Sequence, residues 1–338
     1  MLRRLFDRES PFAAVPQANP LFRSEARQVT WGASPARLWS SSLLAVLVVI
    51  AVLVVLWLVV LLVVMATDPN FIANYPAYIN HDANLWSLIG ALLIAFTLLD
   101  TPLLAMIGLW NGLNTFNDDM TAGRWDLLRL SPVPPEEVIN ARYASTQLRT
   151  WRVLMIVVGT RMGLVLIAAL TLIVPPLLFP GWRGILSSFN NSDPSMPLIF
   201  ISLIPAALLW SVVFVAEPLW RLRLIAAGSI ALAVRMRPLP IMILYGIVRM
   251  IVIAFLEGIV VVFTAASVLA IGIVFLIPLL GGIVAALMAL LEAYIIRSFY
   301  GGQIRQWRIH TVKQMHILWE LPFMPVPDSS VRSRTPQG

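Results

Sequence analysis

The sequence predicts an all-α integral membrane protein of six transmembrane helices with the N and C termini cytoplasmic. Three observations predict it. Charge is scarce: of 338 residues, 12% are charged and 59% hydrophobic, with a mean hydropathy of +0.85, whereas a soluble domain carries about 25% charge. Apolar runs reach the roughly 20 residues a helix needs to cross the hydrocarbon core. The arginines are concentrated in alternate connecting segments.

Residues 1–40 read as a basic arm. Its Arg3-Arg4-Leu5-Phe6 and Leu21-Phe22-Arg23 segments are expected along the inner leaflet surface. The first apolar run, Leu43 to Ala66, starts too late and runs too long for a signal peptide, and it lacks a small-residue cleavage site. It is a retained span. Leu85–Trp110, Val153–Phe179 and Leu198 to about Leu219 follow as the second, third and fourth. The stretch from Leu239 to Ile296 is too long for one helix and suits two. Gly258, Pro278 and Gly281-Gly282 are its candidate breaks, forming a tight hairpin or a short re-entrant helix. Leu224–Val234 is too short to span and reads as an interfacial helix or an extension of the fourth span. The six-span region thus covers residues 41–300, and residues 301–338 form a cytoplasmic tail.

Charge orients these spans. Arg3, Arg4, Arg8, Arg23, Arg27 and Arg37 precede the first, and Arg124, Arg129, Arg142 and Arg149 lie between the second and third. Four arginines fall within residues 221–237, and the C-terminal part carries Arg297, Arg305, Arg308, Lys313, Arg332 and Arg334. The alternate loops differ: Thr67–Asn84 has no Lys or Arg, and Pro180–Pro197 has Arg183 alone. Basic loops stay in the cytoplasm, and six spans satisfy every loop at once. The net charge of +7 is therefore explained by orientation in the bilayer, not by nucleic acid. Trp39, Trp86, Trp110, Trp151, Trp182 and Tyr300 stand near run ends, as interfacial anchors do.

One polar stretch interrupts this pattern. Asp118, Asp119 and Thr121 suit a helix start, where acids complement the positive helix end. Trp125 and Leu128, with Leu127 beside them, form an apolar stripe flanked by Arg124 and Arg129. Pro132 ends the helix, because the residue before a proline is pushed out of helical geometry. Pro134 stiffens the turn, and a new helix starts at Pro135-Glu136-Glu137, with proline and acids in its first turn. The product is a short amphipathic helix followed by a rigid elbow: either a decorated loop or a docking surface.

These residues resemble the cytoplasmic signature of type-2 ATP-binding-cassette (ABC) exporter permeases. The resemblance runs through Asp118 or Asp119, Gly123, Trp125, Asp126, Leu127-Leu128, Ser131-Pro132, Glu137-Val138-Ile139 and Ala141-Arg142. It departs from the pattern at Arg124, Ala141 and Arg142, where Thr, Gly and Lys are common, and the acid before the glycine is displaced. The resemblance implies that segment 115–142 couples the chain to a separate ABC ATPase subunit. It also implies a second permease copy or a sister permease, ATP bound on the partner, and no cofactor in this chain. The expected setting is a prokaryotic cytoplasmic membrane. A different class stays open: a non-transporting membrane anchor or assembly subunit of a larger complex.

Asp100, Arg161, Glu217, Arg249, Glu257 and Glu292 fall inside or near the spans. A charge at the bilayer centre costs about 2.5–3.5 kcal/mol, so such groups face the bundle interior and pair. Asp100 is expected to pair with Arg161, and Arg249 with Glu257 or Glu292, as static interhelical ion pairs or as a polar lining. Asp100-Thr101-Pro102-Leu103 and Glu217-Pro218-Leu219 also echo one another, each an acid beside Pro-Leu late in a span. The echo allows an internal repeat.

Other chemistry is excluded or poorly supported. A phosphate-binding loop needs a Gly-rich run ending in lysine, and the sole lysine, Lys313, has no glycine pattern before it. The chain therefore lacks its own ATPase site of that type. There is no cysteine, hence no disulfide or thiolate metal site. His81, His310 and His316 do not have the spacing of a helical zinc pair. No nucleophile elbow of the G-x-S-x-G type is present, and no paired catalytic residues are evident.

Overall fold

In a computed structural model the described residues are 10–14, 19–29, 34–67, 96, 99–115, 124–130, 132–178, 196–235, 239–274 and 278–320. Nearly all of them are helical, with no strand among them. A single 3-10 turn, Pro11–Ala14, precedes α1 (Pro20–Gln28) and α2 (Pro35–Thr67). After these come α3 (99–115), α4 (Arg124–Leu130), α5 (Pro135–Leu178), α6 (Met196–Ala233), α7 (Leu239–Val274) and α8 (Pro278–Glu320). Among the described residues three helical segments are long and apolar enough to cross a membrane: Pro35–Thr67, Pro135–Thr171 and Ile283–Glu320. They mark the chain as a membrane protein.

Helix starts follow local chemistry. Asn19 caps α1, its Oδ1 accepting from Leu21 N at 3.0 Å and Phe22 N at 3.3 Å. Ser34 caps α2 through Oγ, which accepts from Arg37 N at 3.3 Å. Pro134 opens α5, its carbonyl taking Glu137 N at 3.0 Å and Val138 N at 3.3 Å. In α1, α2, α5 and α8 a proline fills the first helical position, where its missing N–H costs nothing and its fixed φ already suits the helix.

The helices run further than the apolar pattern suggests. The elbow helix and the third span are one 44-residue helix, α5. Leu224–Val234 is the end of α6 and fully buried, so the extension reading holds and the interfacial one does not. Gly258 is no break: α7 passes through it and stops at Val274, and α8 begins at Pro278. The first twenty residues of the supposed tail continue α8 to Glu320. These segments carry ordinary helix formers, and polarity alone does not end a helix that has neighbours to pack on.

The core lies where α1, α3, the start of α5, the end of α6 and the second half of α8 converge. α6 packs extensively on α8, and α2 on α5. The outer stretches stay uncovered: Leu44 and Leu62 of α2 are 66% and 63% exposed, as lipid-facing positions are.

Two glycine pairs at i, i+4 set close helix contacts. A Cβ on Gly112 would overlap Ser229 of α6, and one on Gly108 would lie 2.6 Å from Ile225 Cγ2. On α5, Gly159 and Gly163 accept Val49 and Leu53 of α2 in the same way. This is the small-xxx-small packing of membrane helices.

Three expectations are corrected. The arm does not offer Phe22 to a leaflet: Phe22 is buried, edge-on to Phe12 at 5.3 Å, and α1 packs on α5. Glu25 of α1 draws it there by binding Arg142 and Ser145, with Arg149 at 3.8 Å. Trp151 is an interior residue, donating Nε1–H to Ser42 Oγ of α2 at 2.7 Å. Tyr300 is buried too.

Candidate functional site

Arg161 stands midway along α5, where α3 and α6 both reach it. It forks Asp100 of α3, with Nε to Oδ2 at 2.8 Å and Nη2 to Oδ1 at 3.0 Å. Its Nη1 donates to Glu217 Oε2 of α6 at 2.7 Å and to the carbonyl of Phe214 at 2.8 Å. That carbonyl is free for a definite reason. Pro218 lies four residues after Phe214 inside α6, and proline has no N–H to return to it. The Glu217-Pro218 pair thus supplies two acceptors to one guanidinium. The Phe214 ring lies 4.7 Å from the Arg161 guanidinium carbon.

The other carboxylate oxygen of Glu217 takes Arg221 Nε at 2.5 Å, one turn along α6, and Tyr300 Oη of α8 at 3.4 Å. Thr101 Oγ1 donates to Asp100 Oδ1 at 3.1 Å. Two acids and two arginines therefore form a neutral buried group joining α3, α5, α6 and α8. Asp100 pairs with Arg161 as the sequence suggested, and the echoing acid-proline segments meet on that same arginine. Arg221 and Tyr300 were missed. Arg221 was visible as an i, i+4 partner of Glu217; Tyr300 carried no local signal.

Arg249 does not pair with Glu292. Its guanidinium lies 4.1 Å over the Trp307 ring of α8, and Nη2 donates to Gln303 Oε1 at 3.4 Å. Glu292 is buried elsewhere on α8. The side chain of Glu257 lies outside the described residues.

The elbow forms a second grouping. In α4, Leu128 is buried, whereas Leu127 and Leu130 are 68% and 70% exposed, so the expected stripe divides between two faces. Arg129 ties α4 to the end of α8 by donating to the carbonyl of Trp319 at 2.8 Å, with Asp126 3.7 Å away on its own helix. At the start of α5, Glu136 meets His316 at 3.2 Å, and Arg308 binds Asn140. Glu136 precedes the apolar part of α5. Its carboxyl is held below the usual value first by a backbone N–H at the helix start, then by His316. Glu137 is exposed, and its carbonyl accepts from Asn19 Nδ2 at 3.4 Å. Pro132 is exposed as well. Asp118, Asp119, Gly123 and Ser131 lie outside the described residues, as does the side chain of Trp125, and so do nearly all of the arginine-poor loops. No group of three or more metal-ligating side chains occurs among the described residues.

No family model, curated protein or solved structure matches the chain.

Proposed function

We propose that this chain is the membrane-spanning permease subunit of an ABC-type exporter, with six spans and cytoplasmic termini, driven by ATP hydrolysed on a separate subunit. The observation that carries the reading is the presentation of α4. It is a seven-residue helix anchored from behind by Leu128 and Arg129, with Leu127 and Leu130 turned outward. It stands beside the proline elbow that opens the 44-residue α5. An apolar pair on a fixed, charged short helix suits a protein partner, and the resemblance of this segment to a coupling signature names that partner as an ATPase. Two copies, or one copy with a sister permease, would form one transport path.

The test is copurification from native membranes. Wild type is expected to bring an ABC ATPase with it, and Leu127→Asp/Leu130→Asp to lose that ATPase while keeping its thermal unfolding midpoint. Absence of an ATPase from the wild-type preparation sinks the reading. The six-span layout has its own check, because single cysteines placed in this cysteine-free chain label independently. Ala77→Cys and Ser187→Cys are expected to react with an impermeant maleimide on intact cells, and Trp125→Cys only after permeabilisation. Labelling of position 125 from outside would overturn the orientation.

The anchor or assembly reading draws on the buried charges. The two acids and two arginines balance and engage one another, as static interhelical pairs do.

A further inference from the structure

Arg249 has no carboxylate within ion-pair distance among the described residues; its partners are Trp307, Gln303 and the hydroxyl of Tyr245. An arginine in an apolar helix ordinarily faces an acid or a ligand. Gln303, Trp307 and His310 fall at i, i+4 and i+7 on α8, which places them on one stripe. Arg249 covers the first two. Arg235, exposed just past the end of α6, places Nη2 3.4 Å from His310 Nε2 and likewise has no acid partner among the described residues. The two guanidiniums lie along one stripe, near enough for their charges to repel. Trp307 is buried and its Nε1–H has no hydrogen-bond partner among the described residues, which leaves another donor on this stripe.

We propose that Arg249 and Arg235, with the Gln303–Trp307–His310 stripe, form a phosphate site, and that its ligand is the headgroup of an anionic lipid. Two guanidiniums on one stripe can share one tetrahedral anion, each offering a planar fork of donors. The lipid source follows from the neighbouring surface. Tyr245, Val248, Val252 and Phe255 of α7 are exposed beside Arg249, so acyl chains have an apolar face to lie on below the headgroup. Basic pockets between membrane helices on the cytoplasmic side hold such headgroups.

The experiment is native mass spectrometry of the full chain in detergent, titrated with phosphatidylglycerol and, separately, with inorganic phosphate. Wild type is expected to retain the lipid. Arg249→Gln and Arg235→Gln should each weaken retention about fivefold, and the double variant should weaken it further. Arg235 is exposed, so its variant tests the site without disturbing the core, and thermal unfolding checks that both variants are folded. Arginine-dependent binding of inorganic phosphate, with lipid retention unchanged by the substitutions, keeps the phosphate site and overturns its lipid source. Equal binding of both probes by wild type and the double variant overturns the proposal. No ATPase enters the assay, so its result is independent of the transporter reading.

Discussion

Replacing Arg161 with methionine should lower stability by roughly 3–5 kcal/mol, the range for breaking a buried pair and stranding the other charge. Asp100 would lose its forked partner and Glu217 one of its two arginines. Arg161→Lys should recover only part of the loss, since an ammonium cannot reproduce a planar fork that serves two carboxylates and a carbonyl. The informative variant is Asp100→Leu/Arg161→Met. It removes one charge of each sign and leaves Glu217 with Arg221 at 2.5 Å, so it should unfold at a higher temperature than Arg161→Met alone. Arg161→Met/Glu217→Gln should not recover, because Asp100 stays charged without its arginine. Unfolding midpoints in detergent for the four variants check this, and Asp100→Leu/Arg161→Met no more stable than Arg161→Met would refute the four-charge arrangement.

The second large effect is expected at Gly112. A Cβ there overlaps both Oγ and Cβ of Ser229, and Cβ is fixed to the backbone and cannot swing away. Gly112→Ala must therefore separate α3 from α6, at a cost of about 1–3 kcal/mol. Gly108→Ala meets the Cγ2 methyl of Ile225 at 2.6 Å, a longer approach than the overlap at Gly112, and should cost less. Ser229→Gly added to Gly112→Ala should restore most of the loss. Thermal unfolding of the three proteins ranks them. If Gly108→Ala proves the more damaging, the close approach of the two helices lies elsewhere.

What the sequence disclosed depended on how local each signal was. Apolar runs, proline-led helix starts and the Asp100–Arg161 pair were readable because composition, neighbouring residues or the cost of a charge in lipid define them. Helix ends were not. Residues 138–150 and 303–318 look like solvent-facing segments by polarity, yet they pack on one another and the first also on α1, and only the tertiary contacts say so. Trp151 and Tyr300 stand where interfacial aromatics usually stand, but their polar atoms found Ser42 and Glu217 instead. The glycine pairs at 108/112 and 159/163 were visible as spacing, and their partners on α6 and α2 were not. Arg249 illustrates the same limit: the cost of its charge was legible, and its stacking on Trp307 was not.

The unbroken run of α5 past Arg161 has a mechanical consequence. From Pro135 to Arg161 the helix is about 39 Å long, and from Arg161 to Thr171, four residues ahead of Pro175, about 15 Å. The ion pairs to α3 and α6 fasten it at the junction of these two arms. A rigid helix held there is an unequal lever. A push of about 3 Å at Pro135 becomes a swing of about 1 Å in the opposite sense at Thr171, ahead of the Pro175-Pro176 pair, with no residue between them changing its backbone angles. Motion delivered at the elbow would thus reach Thr171 reduced to about two fifths and reversed, and moving the fastening one turn along α5 would change that ratio.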